Sequence, residues 1–447
     1  MKIPLSPPPE AALLSRLTPD RLIRLFSGRS AVVNGEYLHW DELRHRQPPE
    51  DLTPEEWWFT IKMARNAQAR PLPLQDIKGQ PFKLVVPESV LIHLHHIDRD
   101  AAGEIRASAE INTPEHRNRY LLHSLIEEAI TSSQLEGAAT TRKVAESMLR
   151  ERRKPRDRSE QMIFNNYQAM EIIRGMKNES ITPDRILNLH RILTEDTLDD
   201  PADAGRLRQN DDVHVADHHD GTILHQPPAF GELPERLERL CAFANADENA
   251  VPFVHPVLRA ILLHFMIGYD HPFVDGNGRA ARALFYWAMA RSEYWLMEFL
   301  SISHFLRAAP AQYVKAYLHT ETDGSDTTYF VLHQLDIIRK AIKALHDYLA
   351  RMGEEQRSTQ RLLSTSPTLR NKLNHRQVDL LAHALKHPGE VYRIDTHQRV
   401  HGTAYQTARS DLLNLAKLNL LVSDRSGRAM LFTAPGDLQE RIANMAG

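Results

Sequence analysis

The chain has 447 residues, of which 42% are hydrophobic, and this length is enough for two or three packed domains. A net charge of −3 at pH 7 excludes a protein that binds nucleic acid or membranes through overall charge alone. The single cysteine, Cys241, excludes a disulfide within the chain, and the N-terminal MKIPLSPPPE lacks the apolar stretch of a secretory signal. Since no apolar run approaches the length of a membrane-spanning helix, we expect a cytoplasmic protein that makes no membrane contact.

Residues 1–111 are rich in proline and predict a mixed α+β region. Asn34-Gly35 in AVVNGEYLHW is typical of the turn of a β-hairpin. Thr53 and Glu56 in TPEEWWFTIKMARNA form the pattern that begins a helix. The stretch PFKLVVPES, which has a proline at each end of its apolar run, predicts a short strand.

Residues 112–350 predict an all-helical domain, because several segments open with N-cap and proline pairs such as TPEH and TPDR. The predicted helices are Pro114–Leu135, Lys143–Arg150, Arg158–Met176, Pro183–Asp196, Glu232–Asn245, Pro256–Tyr269, Arg279–Arg291, Ala309–Thr320 and Thr327–Ala350. The segment DDVHVADHHDGTILHQPP interrupts these helices and alternates apolar and polar residues around Asp220-Gly221. It therefore predicts a β-hairpin flap whose edge is available for binding.

Residues 351–373 are polar and lack a clear apolar period, so they predict a linker. Residues 374–447 predict three helices followed by a strand, a turn and a strand, an order that resembles a winged helix-turn-helix domain. On its third helix, Tyr405, Gln406 and Arg409 could face the major groove of DNA. The mildly basic charge of this segment leaves a protein-interaction or dimerisation role equally open.

The chain contains 24 histidines, many of them in LIHLHHID and VHVADHHDGTILH, and imidazole is a common metal ligand. Neither cluster shows a familiar ligand spacing such as H-E-x-x-H. We therefore interpret these residues as structural or surface histidines rather than as a metal site.

The stretch HPFVDGNGRAAR joins two predicted helices and carries an unusual density of polar groups. Gly276, Asn277 and Gly278 tolerate positive φ angles, so their backbone N–H groups can form a concave anion site at the N-terminus of the following helix. Arg279 and Arg282 are three residues apart and project over one face of that helix. Because a guanidinium group fits phosphate oxygens, the pattern favours a polyphosphate ligand.

The same stretch contains one acid and one histidine that suit phosphate chemistry. Asp275 would repel a phosphate unless it holds a Mg²⁺ ion that bridges two phosphate groups. His271 lies at the edge of the loop and is suited to act as a general base, because its usual pKa is near neutrality. Any one of these residues alone would indicate a glycine turn with surface arginines, but their combined order favours a polyphosphate site.

From His271 through Arg282 the chain resembles the Fic family, whose signature H-P-F-x-[DE]-G-N-G-R-x-x-R is matched at every position. The resemblance extends over about residues 115–345 and implies an all-helical Fic core. It also implies that the protein transfers AMP from ATP to a hydroxyl side chain (Tyr, Ser or Thr) of a target protein, with self-modification as a further outcome. ATP and Mg²⁺ are the implied cofactors.

The resemblance assigns a role to each loop residue. It implies that His271 takes the proton of the target hydroxyl, that Asp275 holds Mg²⁺, and that the backbone of the GNG tripeptide contacts the α- and β-phosphates. Arg279 would contact the β-phosphate and Arg282 the γ-phosphate. In the flap, Val213, His214 and Val215 would dock the target by strand pairing.

Upstream, AITSSQLEGAATT contains Ser132 and Glu136 one helical turn apart, followed by Gly137. Taken alone, these residues are typical of a helix that ends at a glycine. In the Fic family the pattern [ST]-x-x-x-E-[GN] marks an inhibitory helix, here about residues 120–137. The resemblance implies that Glu136 pairs with Arg282, so that ATP binds in an unproductive position.

Two alternatives remain open from the sequence. The protein could remove AMP from a modified protein, with Glu136 orienting water, or transfer another nucleotide. It could instead be a nucleotide-sensing regulator that binds DNA through residues 374–447. Gly278 and Arg279 are intact, whereas a kinase-like branch of the family replaces them, and this favours AMP transfer over phosphate transfer. A homodimer that tunes the inhibition is a further expectation.

Overall fold

The computed structural model describes residues 2–26, 30–102, 114–151, 153–217, 220–247, 249–364, 372–426 and 429–445. Within these ranges the chain is mainly α-helical, which confirms the predicted fold class. The helices are α1 (Glu10–Leu14), α2 (Pro19–Phe26), α3 (Trp40–Leu43), α4 (Pro54–Gln68), α5 (Glu88–Ile97), α6 (Pro114–Leu135), α7 (Arg142–Glu151), α8 (Arg158–Gly175), α9 (Pro183–Thr194), α10 (Leu233–Ala244), α11 (Pro256–Asp270), α12 (Asn277–Arg291), α13 (Ile302–Ala308), α14 (Pro310–Thr322), α15 (Thr328–Ser364), α16 (His375–Lys386), α17 (Ile394–His401), α18 (Tyr405–Lys417) and α19 (Leu438–Asn444). The strands are β1 (Arg70–Gln75), β2 (Pro81–Leu84), β3 (Val215–Ala216), β4 (Ile223–His225), β5 (Val391–Arg393), β6 (Val422–Ser426) and β7 (Ala429–Thr433).

The chain forms two compact units. The first unit consists of Met1–Gly103, Glu127–Ala145 and Pro155–Ala341. The second consists of Glu104–Ile126, Glu146–Lys154 and Ile342–Gly447. Helix α15 continues to Ser364, into the segment expected to be a linker, and residues 365–371 lie outside the described ranges.

In the first unit, helices α11 and α12 pack against each other. Every residue of α11 except Pro256 and Gly268 is buried, and α12 is buried from Arg279 through Met289. A Cβ atom added at Gly268 would lie 2.2 Å from the Tyr317 hydroxyl, so glycine allows α14 to approach α11 closely. Because both helices are enclosed, the loop between them is fixed at each end.

The N-terminal region belongs to this first unit and is joined to it through buried charges. Arg65 of α4 donates to the Leu38 carbonyl at 2.9 Å and to the Tyr329 hydroxyl at 2.6 Å. Lys62 forms an ion pair with Asp323 at 2.6 Å. Burying such charges is favourable only with close partners, so this region and α15 are expected to fold together.

In the N-terminal region one expectation differs from the structure, and one strand was not predicted. The AVVNGEYLHW hairpin is reduced to an isolated bridge between Val33 and Glu36, because α3 begins at Trp40. The strand PFKL pairs with the unpredicted strand β1, RPLPLQ. Its prolines argue against a central strand, but a two-stranded sheet has only edges, where proline is tolerated.

In the second unit, β5, β7 and β6 form an antiparallel sheet in that order beside α16, α17 and α18. Its core includes Leu381, Leu412 and Phe432, all fully buried. The element order contains the predicted three helices and strand pair, to which the structure adds β5 and α19. Along the described ranges, no helix combines the length and the apolar character needed to cross a bilayer.

Candidate active site

The loop between α11 and α12 holds its shape through two residues with positive φ. His271, directly after α11, has φ 45°, and its backbone N–H donates to the Ile267 carbonyl at 3.1 Å. Gly276 has φ 83°, and a Cβ atom there would lie 2.8 Å from Thr194 Cγ2. Glycine is therefore required at 276 both by backbone conformation and by close contact with α9.

Asn277 closes the loop with its side chain. Its Oδ1 accepts from the Phe273 N–H at 2.9 Å, and its Nδ2 donates to the Phe273 carbonyl at 2.8 Å. The side chain is buried and points back into the loop, so the backbone N–H groups at the start of α12 remain available to a ligand. This arrangement, at the N-terminus of a helix, favours an anion.

His190 of α9 supports the loop from outside. Its ring stacks on Phe273 with a centroid distance of 3.7 Å, and its Nε2 lies 2.8 Å from the Asp275 carbonyl. Nδ1 accepts from the Gly205 N–H at 3.0 Å, so Nε2 must carry the proton that is donated to Asp275. Burial lowers the pKa of His190 to about 4, and the ring is therefore neutral at physiological pH.

His271 has one ring nitrogen in use. Its Nδ1 lies 3.2 Å from the Gly268 carbonyl, which can only accept, so Nδ1 carries the proton. In the neutral ring, Nε2 then keeps its lone pair and can accept a proton from a substrate. Burial lowers the pKa of His271 below its usual value, which favours this neutral form.

Arg279 is fully buried and only partly used by the protein. Its Nη1 donates to the Leu193 carbonyl at 2.7 Å, and its Nη2 lies 3.7 Å from the Asp275 carboxylate. Its Nε and Nη2 have no hydrogen-bond partner among the described residues, and the same is true of Nη1 of Arg282. Buried guanidinium nitrogens of this kind are costly unless a ligand completes their hydrogen bonding.

The other nitrogens of Arg282 are occupied by the end of α6. Its Nε donates to the Ser132 hydroxyl at 2.8 Å, and its Nη2 donates to a Glu136 carboxylate oxygen at 2.8 Å. Burial would raise the pKa of Glu136, but the charge and hydrogen bond of Arg282 hold it below its usual value. A Cβ atom at Gly278 would lie 2.1 Å from Glu136 Oε1, so this carboxylate covers the glycine of the loop.

Helix α6 is held in place by a second acid two turns before Glu136. Glu128 is buried and accepts hydrogen bonds from Ser301 at 2.9 Å, Ser303 at 2.5 Å and Tyr286 at 2.9 Å. Tyr286 lies one turn beyond Arg282 on α12, so α6 is fixed against the helix that carries Arg282. Gly137, with φ 95°, follows Glu136 where the helical hydrogen bonding ends.

Asp275 differs from its neighbours in being 44% exposed. Its Oδ1 accepts from the Gly276 N–H at 2.5 Å, and its Oδ2 lies 4.0 Å from Arg158. The described residues contain no group of three His, Cys, Asp or Glu side chains that could hold a metal ion by themselves. A cation at Asp275 would therefore need ligands from water or a bound phosphate.

The flap forms beside this loop as a short antiparallel pair in which Val215 is opposite His225. Val215 lies in β3, whereas Val213 and His214 precede it and His214 is exposed. Arg208 joins the base of the flap to the loop, because its Nε donates to the His271 carbonyl at 3.1 Å and its Nη1 to the Asn210 carbonyl at 2.7 Å. His218 and His219, in one of the histidine clusters, lie outside the described residues.

The structure thus places the loop residues, the base of the flap and the end of α6 near one another. Arg158, His190 and Arg208 were not anticipated. His190 is separated by 85 positions from its partner in the loop and Arg208 by 63, so no local pattern connects them. A buried histidine in the second half of a helix such as α9 carries too little signal by itself.

Part of the chain that carries this site is similar to a known protein family. Residues 180–289 match the sequence model of the Fic/DOC family. The chain contains a Fic domain. The matched range includes the whole loop from His271 to Arg282 and the flap, whereas Glu136 lies outside it.

Individual proteins and solved structures are also similar to this chain. Proteins called protein adenylyltransferase Fic are 35% identical over 114 residues in Drosophila melanogaster and 38% identical over 108 residues in Nematostella vectensis. These matches cover 26% and 24% of this chain, but only 21% and 22% of the relatives, about a fifth of their length. A Fic family protein from Desulfovibrio desulfuricans has the same fold, with a TM-score of 0.51 and 18% identity over 79% of this chain and 97% of that chain.

Proposed function

We propose that this chain is an autoinhibited protein adenylyltransferase, which moves AMP from ATP to a hydroxyl side chain (Tyr, Ser or Thr) of a target protein or of itself. The observation that carries the proposal is the position of the Glu136 carboxylate, 2.8 Å from Arg282 and directly over Gly278. The curated relatives named above bear the name of this activity and support it.

The anion site is suited to the phosphates of ATP. The backbone N–H groups of Asn277 and Gly278 and the incompletely paired guanidinium of Arg279 would hold the α- and β-phosphates. Arg282 would hold the γ-phosphate once Glu136 has moved away. The exposed carboxylate of Asp275 fits Mg²⁺, which commonly binds one or two carboxylates and completes its shell with water and substrate phosphates. When bound, the ion would neutralise charge on the phosphates.

In the transfer, the hydroxyl oxygen of the target attacks the α-phosphorus of ATP. A bond forms between these two atoms, the bond from the α-phosphorus to the bridging oxygen breaks, and pyrophosphate leaves. Nε2 of His271 accepts the hydroxyl proton, because its Nδ1 already donates to Gly268. The flap residues Val213, His214 and Val215 would hold the target backbone by strand pairing.

Inhibition follows from occupancy of the anion site. With Glu136 on Arg282, the γ-phosphate loses its guanidinium and meets a carboxylate of the same charge. ATP would have to bind in a displaced position, with its α-phosphorus out of line with the incoming hydroxyl. A misplacement of about 1 Å can reduce the rate about 10²-fold.

The test is label transfer to protein from ATP labelled at the α- or the γ-phosphate, with native chain, Glu136→Gly and Glu136→Gly/His271→Ala. We expect α-label only, strong in Glu136→Gly and absent when His271 is also replaced. Transfer of γ-label would instead indicate a kinase. Loss of AMP from pre-labelled protein, dependent on Glu136, would favour the de-AMPylase alternative, in which this carboxylate orients water.

The DNA-binding regulator remains a second candidate because of the surface of the C-terminal unit. Tyr405, Gln406 and Arg409 are exposed on α18, while Ala408 and Leu412 face the core. Fluorescence anisotropy with duplex DNA would test this role, with Arg409→Ala as the variant. Binding that is lost at Arg409 and unaffected by ATP would support an attachment role, whereas ATP-dependent DNA binding without AMP transfer would favour the sensor.

A further inference from the structure

His225, the last residue of flap strand β4, is buried with both ring nitrogens engaged. Its side chain is 7% exposed. Nδ1 lies 2.8 Å from a carboxylate oxygen of Glu321 on α14, and Nε2 lies 2.6 Å from the Tyr269 carbonyl in the last turn of α11. The ring of His225 therefore connects the flap to α14 and to α11, the helix that precedes the loop from His271 to Arg282.

These two partners determine the protonation state of the ring. A carbonyl oxygen and an ionised carboxylate can only accept hydrogen bonds, so each ring nitrogen must donate. A neutral imidazole has one N–H and would leave one contact without a proton, whereas an imidazolium satisfies both. The C-terminal end of α11 also favours a positive charge.

We propose that His225 is a positioning residue, held as an imidazolium, which fastens the flap to α11 and α14 and keeps the adjacent His271 in its neutral, proton-accepting form. This inference rests on the proposed function, in which His271 is the general base. Tyr269 is two residues before His271, and Val215, opposite His225 in the hairpin, belongs to the target-docking segment. The charged ring of His225 would thus connect the strand that docks the target to His271, the proposed general base.

The charges around the ring agree with this inference. Burial alone would lower the pKa of His225, but the hydrogen bond and charge of Glu321, with the Tyr269 carbonyl and Asp270, raise it above its usual value. Burial lowers the pKa of His271; the Gly268 hydrogen bond and the charge of Glu136 raise it, and the charges of His225 and Arg208 lower it further. Asp270 is itself paired with Arg236 of α10 at 2.7 Å, so it compensates the His225 charge only in part.

The first test does not depend on catalysis. The full chain, labelled with ¹⁵N in its histidines, is titrated by NMR, with His225→Gln and His271→Ala used to assign the two signals. At about pH 7.5, above the usual histidine pKa of about 6.5, we expect both ring nitrogens of His225 to be protonated. In Glu321→Gln this signal should become that of a neutral ring, and the titration midpoint of His271 should move to higher pH by roughly half a unit.

The matched control is Glu235→Gln, which removes a carboxylate that is 74% exposed on α10 and paired with Arg239. It should leave both histidine signals unchanged. A neutral His225 at this pH in the native chain would overturn the inference. So would a His271 midpoint that is the same in Glu321→Gln and in the native chain.

The second test measures the pH profile of AMP transfer in the Glu136→Gly background. A neutral His225 no longer opposes protonation of His271, so adding Glu321→Gln should move the acidic limb of kcat/KM to higher pH by the same amount. If no AMP transfer occurs at all, the proposed function fails, and the NMR result still decides whether His225 is charged and coupled to His271. Transfer with an unchanged acidic limb would overturn the positioning role alone.

Discussion

The loop from His271 to Arg282 and the flap over residues 211–228 are held in different ways. The loop is fixed by contacts along its length, including the Asn277 hydrogen bonds to Phe273 and the His190 bond to Asp275. The flap pairs through strands of two and three residues, and its Ile223 is 51% exposed. Its buried attachments include those of Arg208 and His225.

This difference separates two tasks. A loop with fixed backbone N–H groups and guanidinium groups can bind phosphates without reorganisation, which is the arrangement that stabilises developing charge most effectively. A flap with few internal contacts can adjust to a target segment. In the proposed mechanism, Glu136 inhibits by occupying the loop rather than by deforming it.

The largest effect is expected at the base. In the Glu136→Gly background, His271→Ala should reduce AMP transfer by about 10²- to 10⁴-fold, because the hydroxyl loses its proton acceptor. The affinity for ATP, measured by calorimetry, should change by no more than about twofold, since the phosphates contact other groups. His346→Ala, at an exposed histidine on α15, is the control and should behave like its parent. Full activity without His271 would contradict the mechanism.

Emptying the anion site should have the next largest effect. Glu136→Gly should raise transfer by about 10²-fold, because the γ-phosphate gains Arg282 and the α-phosphorus is aligned. Glu136→Gln should raise it less, since the amide still lies over Gly278. The rates are compared by label transfer, with Glu146→Gln on α7 as the control. Equal rates for the native chain and Glu136→Gly would show that the contact does not restrain the enzyme.

The pH dependence of inhibition follows from the same pair. Since Arg282 holds the pKa of Glu136 below its usual value, the ion pair is fully present above the ordinary glutamate pKa of about 4.3 and is lost only as pH falls through the lowered value. The ratio of transfer rates between Glu136→Gly and the native chain should therefore stay constant from about pH 8 to pH 5. A ratio that falls toward one near pH 5 would mean that Glu136 is protonated at that pH. This would contradict a pKa held below its usual value by Arg282.

A smaller effect on ATP binding is expected at His190 of α9, which contacts the loop through the Asp275 carbonyl. His190→Leu should raise the KM for ATP by roughly tenfold, because the Asp275 carbonyl loses its donor and the loop loses part of its fixed shape. His190→Asn, which can still donate, should recover part of the loss. As the pKa of His190 is lowered to about 4, its protonation should leave no step in the pH profile above pH 5. An unchanged KM for ATP in His190→Leu would show that His190 does not support the loop.

The flap should show the smallest effect. Ile223→Ser changes an exposed side chain of β4 and should alter the labelling of target proteins in a lysate by about two- to fivefold, on the scale of one lost apolar contact. Self-labelling and ATP affinity should be unchanged. An equal loss of ATP binding would mean that the flap and the loop are not separate in function.

Prediction from the sequence was most successful where the residues concerned are close together in the chain. The loop signature and the boundaries of α6 follow from local patterns of caps, glycines and apolar spacing. The contact between Glu136 and Arg282 spans 146 positions, and it was foreseen only because a family pattern connects the two segments. Arg208 and His225 have no such pattern. Their roles depend on carbonyl groups at the end of α11, and a sequence does not reveal which carbonyls a side chain will meet.

The same limit explains the differences in fold. The polar segment after residue 350 was expected to be a linker because its apolar residues do not repeat with the period of a helix. The structure nevertheless continues α15 to Ser364. Strand β1 was missed because Pro71 and Pro73 argue against a strand in any sheet that continues on both sides.

The most direct test of the central claim compares the affinities of ATP and ADP for two chains, His271→Ala and His271→Ala/Glu136→Gly, by calorimetry. Both chains lack the base, so neither should consume the nucleotide. If Glu136 occupies the arginine that serves the γ-phosphate, the first chain should bind ATP and ADP about equally, whereas the second should prefer ATP by roughly tenfold, the gain expected for one charge-assisted contact. The same preference in both chains would contradict the claim that Glu136 and the γ-phosphate compete for Arg282.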